Sequence, residues 1–162
     1  MTWRMPRNQR RHDATGTETA PHWPEDHTPA ATRVLVEHPE RIAQGHLERG
    51  LRERGYEVLT CGGPEAAGPV RTQCPILAGE SCPGVEGADV IVSSLHLGGA
   101  QEGLIVQRLA ENLSGPPMIL EASGWQVETA FGRADTVAHH YPFTSIDDVA
   151  TAIEGLVGLH SP

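Results

Sequence analysis

The side chains with chemical capacity stand at the ends of short β-branched runs. The stretch DVIVSSLHLGGAQEG, Asp89 to Gly103, puts Ser93, Ser94 and His96 after an apolar run and before a glycine-softened turn into a helix. RVLVEH ends on Glu37 and His38, YEVLTCG contains Cys61, PPMILEAS ends on Glu121 to Ser123, and DTVAHHYP carries His139, His140 and Tyr141. Imidazoles titrate near neutrality, thiolates ligate metals, and serine hydroxyls bond a ligand or nearby backbone. Every basic residue is Arg, so no lysine amine can serve any of these sites.

The elements that position these ends alternate along the chain. RVLVEH and YEVLTCG read as the first two strands, separated by PERIAQGHLERGLRERG. In that segment Ala43, Leu47 and Leu51 recur four apart, one apolar stripe on a helix. Pro39 suits its first turn and Gly55 the position past its end. ADVIVSS and EGLIVQRLAENL read as the third strand and its helix. PPMILEAS is the fourth strand, WQVETAFGR (residues 125–133) a weaker helix, and DTVAHHYP (residues 135–142) the fifth strand. In the last helix Ile146, Val149, Ala150, Ile153, Leu156 and Val157 follow helical spacing. Thr144 or Ser145 can cap it, with Asp147 and Asp148 in its first turn.

Strands alternating with helices predict right-handed crossovers and a parallel sheet covered on both faces. The expected fold is therefore α/β, a three-layer α/β/α sandwich around a five-stranded parallel sheet of order 2-1-3-4-5. Ligands of such sheets gather outside the carboxyl ends of the strands, where the residues above stand. The expected division is a disordered arm over residues 1–31, rich in Pro, Thr, His and charge, and one domain over residues 32–160.

Two stretches, ADVIVSSLHLGGAQEGLIVQRL and YPFTSIDDVATAI, resemble the receiver domains of two-component response regulators, which are CheY-like and flavodoxin-like in fold. The first resembles the third receiver strand, phosphorylation loop and third helix; the second resembles the Lys-Pro-Phe segment and last helix. The resemblance covers about residues 33 to 158. It implies a pocket built from Glu37, His38, Ser93, Ser94, His96, Glu121, Ser123 and Tyr141. It also shows what the pocket has lost. Ser94 stands where a receiver has its phosphorylated aspartate, and only Glu37 remains of the paired acids that hold Mg²⁺. Tyr141 replaces the lysine, and the switch position falls near Glu121 or Ala122, beside Ser123. Phosphoryl transfer needs a carboxylate nucleophile, metal-holding acids and a cation for the developing charge. The expectation is a degenerate, non-enzymatic pseudo-receiver that regulates by protein binding and needs no cofactor. The resemblance implies a protein partner or homodimer through the surface of the fourth helix (residues 125–133), fifth strand (135–142) and last helix.

Two alternatives rest on other residues. Cys61, Cys74 and Cys82 with His38 make a Cys₃His set for zinc, and thiolates alone can hold an iron–sulfur cluster. The gaps of twelve and seven residues match no finger spacing, and the Cys-Pro dipeptides raise haem as a further option. Separately, SSLHLGG is similar to the Ser-x-Leu and Gly-Gly pattern of corrinoid-binding domains, but EHPERIA lacks their Asp-x-His-x-x-Gly. Charge narrows the partners. The formal net charge is -9, carried by the part beyond residue 32, which repels phosphate backbones and argues against nucleic acid. No apolar run approaches the roughly 20 residues that span a bilayer, so no membrane partner is expected. With no secretory signal and an odd number of cysteines, the expected location is the cytoplasm.

Overall fold

The computed structural model describes residues 21–25, 30–64, 74–112, 114–131, 139–140 and 145–160. Its elements run β1 (Arg33–Glu37), α1 (Arg41–Arg52), β2 (Glu57–Cys61), α2 (Pro75–Ala78), α3 (Pro83–Glu86) and β3 (Val90–Ser93). They continue with α4 (Ala100–Glu111), β4 (Met118–Leu120), α5 (Gly124–Phe131), β5 (His139–His140) and α6 (Ile146–His160). Every strand pairing is parallel and the order is β2-β1-β3-β4-β5, as the sequence predicts. Of the expected fifth strand, the described residues His139 and His140 pair with Ile119 and Leu120.

Side chains of a strand alternate between faces, and that parity sorts the core into two layers. Val34, Val36, Val90, Val92 and Ile119 pack with Leu47 and Leu51 of α1 and with Val149, Ile153 and Leu156 of α6. Leu35, Ile91, Met118 and Leu120 pack on the other face with Val85 of α3, Ile105 and Val106 of α4, and Val127 of α5. The central strands are buried on both faces, which is why they read as continuous apolar runs. Each fully buried Leu or Ile contributes roughly 1.5–3 kcal/mol of transfer free energy.

The helices also follow local chemistry. Gly55, at φ +88, carries the chain out of α1 in a conformation that side chains resist, and β2 begins two residues later. Ser145 caps α6: its hydroxyl oxygen accepts from the Asp148 amide at 3.2 Å and donates to the Asp148 carboxylate at 2.9 Å. Pro39 does not fall in the first turn of α1; it precedes the N-cap, Glu40. After β2, where a crossover helix is usual, the described chain makes only two single turns, each opened by a proline.

Residues 21–25, within the expected arm, are among the described residues. Trp23 packs against the α3–α4 layer, and its indole N–H donates to the Gly84 carbonyl at 2.8 Å. Residues 1–20 and 26–29 of the expected arm lie outside the described residues, as does Tyr141.

Candidate functional site

The carboxyl edge of the sheet holds an open cleft of about 530 Å³, lined among others by His38, Glu40, Ser94, His96, Glu121 and Gln126. Each comes from the end of an element. His38 and Glu40 follow β1, Ser94 and His96 follow β3, Glu121 follows β4, and Gln126 is in the first turn of α5. Backbone bonds fix these ends side by side: the Ser94 amide donates to Glu37 O and the Glu121 amide to Ser93 O, both at 2.8 Å.

Two imidazoles and two carboxylates share this cleft. His38 Nδ1 accepts from the Glu40 amide at 3.0 Å, which leaves Nε2 as the donor of the neutral ring. Burial pushes the His38 pKa below its ordinary value and His96 adds to this, while Glu121 and Glu40 pull the other way. The Ser94 hydroxyl is buried and has no hydrogen-bond partner. An unmade hydrogen bond of this kind costs about 1–3 kcal/mol, so a ligand group that bonded it would recover that amount. The loop from Ser94 to Gly99 is held from beneath by Glu102, itself buried, whose Oε2 accepts from the His96 amide at 3.1 Å.

The predicted pocket therefore divides. His38, Ser94, His96 and Glu121 come together. Glu37 and Ser93 do not join them: by strand parity they point into the layer of α3, α4 and α5. Glu37 there lines a second, small cavity with Cys61, Cys74 and Cys82. Burial raises the Glu37 pKa to about 7, and the nearby Ser93 hydroxyl only partly offsets this. Their contact is not a well-formed hydrogen bond, since Glu37 Oε2 and Ser93 Oγ both lack a partner. A carboxyl so held is a poor cation ligand. Ser123 has a different role again, capping α5 through its bonds with Gln126.

The Cys₃His metal set is not assembled. The three thiols share the second cavity, but His38 lines the cleft instead. Among the described residues no three His, Cys, Asp or Glu side chains are grouped to hold a metal ion. Burial pushes the Cys61 thiol up to about 12, with Glu37 adding to the shift, and burial also raises Cys82. Glu40, Gln126 and Glu102 also shape the site, beyond the residues the sequence points to. Glu102 had a signal: it occupies the apolar stripe of α4, with Ile105 and Val106 three and four positions on.

No protein-family profile matches the sequence, and no curated protein sequence matches it. Solved structures do match. A response regulator receiver domain from Clostridium thermocellum superposes with a TM-score of 0.57 at 14% identity, covering 79% of this chain and 95% of that one. A Francisella response regulator receiver domain gives 0.57 at 16%, over 80% and 99% of the two chains. An orphan response regulator of H. pylori gives 0.54 at 17%, over 80% and 99%. The domain is receiver-like in fold. Identities this low carry the fold and no residue roles.

Proposed function

We propose that this protein is a non-catalytic regulatory domain, a pseudo-receiver that acts by binding a protein partner or a second copy rather than by accepting phosphate. The observation that carries this reading is Ser94: the residue following β3 in the cleft carries a hydroxyl without a hydrogen-bond partner, not a carboxylate. Glu37, the acid that ends β1, is turned away from the cleft with its proton held to near neutrality. The partner surface lies on α5, β5 and α6, as the receiver resemblance implies. Trp125, 73% exposed on the first turn of α5, supports that choice, since aromatic side chains are enriched at interface cores.

Two further points belong to this reading. All three cysteines are free thiols, which fits a reducing cytoplasm. Among the described residues no helix is long and apolar enough to cross a membrane. The test is incubation of the purified protein with acetyl phosphate and Mg²⁺, followed by intact-mass measurement. The expected spectrum is unchanged. A stable gain of one phosphoryl group, absent in Ser94→Ala, overturns the proposal.

A further inference from the structure

The small cavity on the far side of the sheet from α6 has no place in that reading. Its volume is about 20 Å³, and its walls include Cys61, Cys74, Cys82, Glu37 and Pro21. A space of ~10–15 Å³ suffices for one water, so one small molecule fits here and little more. The chain brings Cys74 and Cys82 to it by a local reversal. Gly79, at φ +80, ends α2; its amide donates to Ile76 O at 3.1 Å, and the Glu80 amide donates to Pro75 O at 2.8 Å. Arg108 of α4 pins the turn from outside, donating to the Ile76 carbonyl. Cys74 is partly exposed and Cys82 buried, and both line this one small cavity. Burial raises the Cys82 thiol above its ordinary range, and the neighbouring Val85 and Gly84 backbone amides only partly offset this.

A strap of chain covers the same place. Pro21 lies over Gly84, where an added Cβ would come within 3.3 Å of its ring. Trp23 lies over Gly87, where an added Cβ would fall 2.3 Å from the indole, so α3 accepts this ring only because it lacks a side chain there. The indole N–H is bonded to Gly84 O, and the Arg33 guanidinium sits 5.3 Å from the ring centroid.

We propose that Cys74 and Cys82 are an oxidisable pair, converted by a peroxide to an intramolecular disulfide at this cavity, with the Pro21–Trp23 strap limiting access to it. The Cys74 thiolate attacks one peroxide oxygen, the O–O bond breaks, and the departing hydroxide takes the thiol proton to leave as water. The Cys82 sulfur then displaces the hydroxyl of the Cys74 sulfenic acid, which leaves as a second water with the Cys82 proton. Two thiols lose two electrons and two protons, and the peroxide is reduced. Cys61 remains a thiol, because burial beside the Glu37 carboxyl suppresses its thiolate.

The test uses the full chain, reduced, desalted and exposed to hydrogen peroxide, with remaining thiols alkylated before peptide mapping. The expected product is monomeric, lighter by two hydrogens, bridged between Cys74 and Cys82, and alkylated only at Cys61. A bridge that includes Cys61, a bridge between chains, or three alkylated thiols under conditions that oxidise glutathione overturns the pair. For the strap, Trp23→Ala is expected to raise the oxidation rate about tenfold, as losing ~1.4 kcal/mol of docking would. Trp23→Phe keeps a ring but loses the bond to Gly84, and is expected to give a smaller rise even if the alanine variant fails to fold. An oxidation rate equal to wild type in the folded variants overturns the gating role.

Discussion

Glu37 shows how a single strand position decides a residue's chemistry. It follows Leu35 by two, so it points into the same apolar layer, while His38 beyond the strand end reaches the cleft. Its carboxyl has a folded pKa near 7 against 4.5. A raised acid pKa means that the unfolded chain releases its proton first. This group's contribution is full below about pH 4.5 and is lost as pH rises toward 7, by roughly 3 kcal/mol in all. His38, with a lowered pKa, acts in the opposite sense and loses stability on acidification. Comparing Glu37→Gln with wild type cancels the His38 contribution. Urea midpoints at pH 5 and pH 8 are expected to show the variant gaining on wild type as pH rises. A constant difference between the two proteins would mean that Glu37 ionises normally. The sequence made Glu37 legible as a strand-end acid, and even the parity was there to read in Leu35 and Glu37. What it lacked was the depth of the layer beneath, which Cys61, Cys82 and Leu95 supply from three other segments.

At the scale of elements, legibility followed periodicity. The α6 pattern contains the buried set Val149, Ala150, Ile153 and Leu156, and of its two candidate caps, Thr144 and Ser145, Ser145 is seen to bond the Asp148 amide. Ser145→Ala removes the hydroxyl that satisfies the Asp148 amide, and is expected to cost about 1 kcal/mol, seen as a lower denaturant midpoint with unchanged slope. An effect near zero would mean that the first turn is satisfied without the cap. The segment after β2 was not legible, for a physical reason. Two prolines open single turns and glycines end them, so no stripe of helical period exists there to be read. Its placement comes from outside, through Arg108 on the Ile76 carbonyl and the hydrophobic layer around Val85. Glu102 was hidden by the opposite habit: an acid in a first helical turn is ordinarily solvated and favours the helix dipole, whereas here it is buried under the loop of His96.

For the molecule as a whole, the cleft and the thiol cavity share the end of β1 and Leu95 but make different further demands on the fold. The cleft depends on the carboxyl ends of β1, β3 and β4, which a doubly wound sheet brings together whatever residues occupy them. The thiol cavity depends on chain outside the sheet, including Pro21. Composition alone marks residues 1–31 as an arm, since single aromatics among prolines carry no period. The glycines that seat Trp23 are more than sixty positions away. The consequence is a division within the arm that truncation can measure. A chain beginning at Pro21 keeps the strap, while one beginning at Ala30 loses the Trp23 hydrogen bond, the Arg33 stacking and the apolar cover of α3. The hydrogen bond and the cation–π contact are worth about 1 kcal/mol each, so the shorter chain is expected to be less stable by about 2 kcal/mol. For a domain of this size that corresponds to a melting temperature lower by on the order of 5–10 °C. Equal melting temperatures for the two truncations would mean that the strap adds nothing to the folded state. Its hold on the thiol cavity would then have to come from occupancy too weak to stabilise the fold.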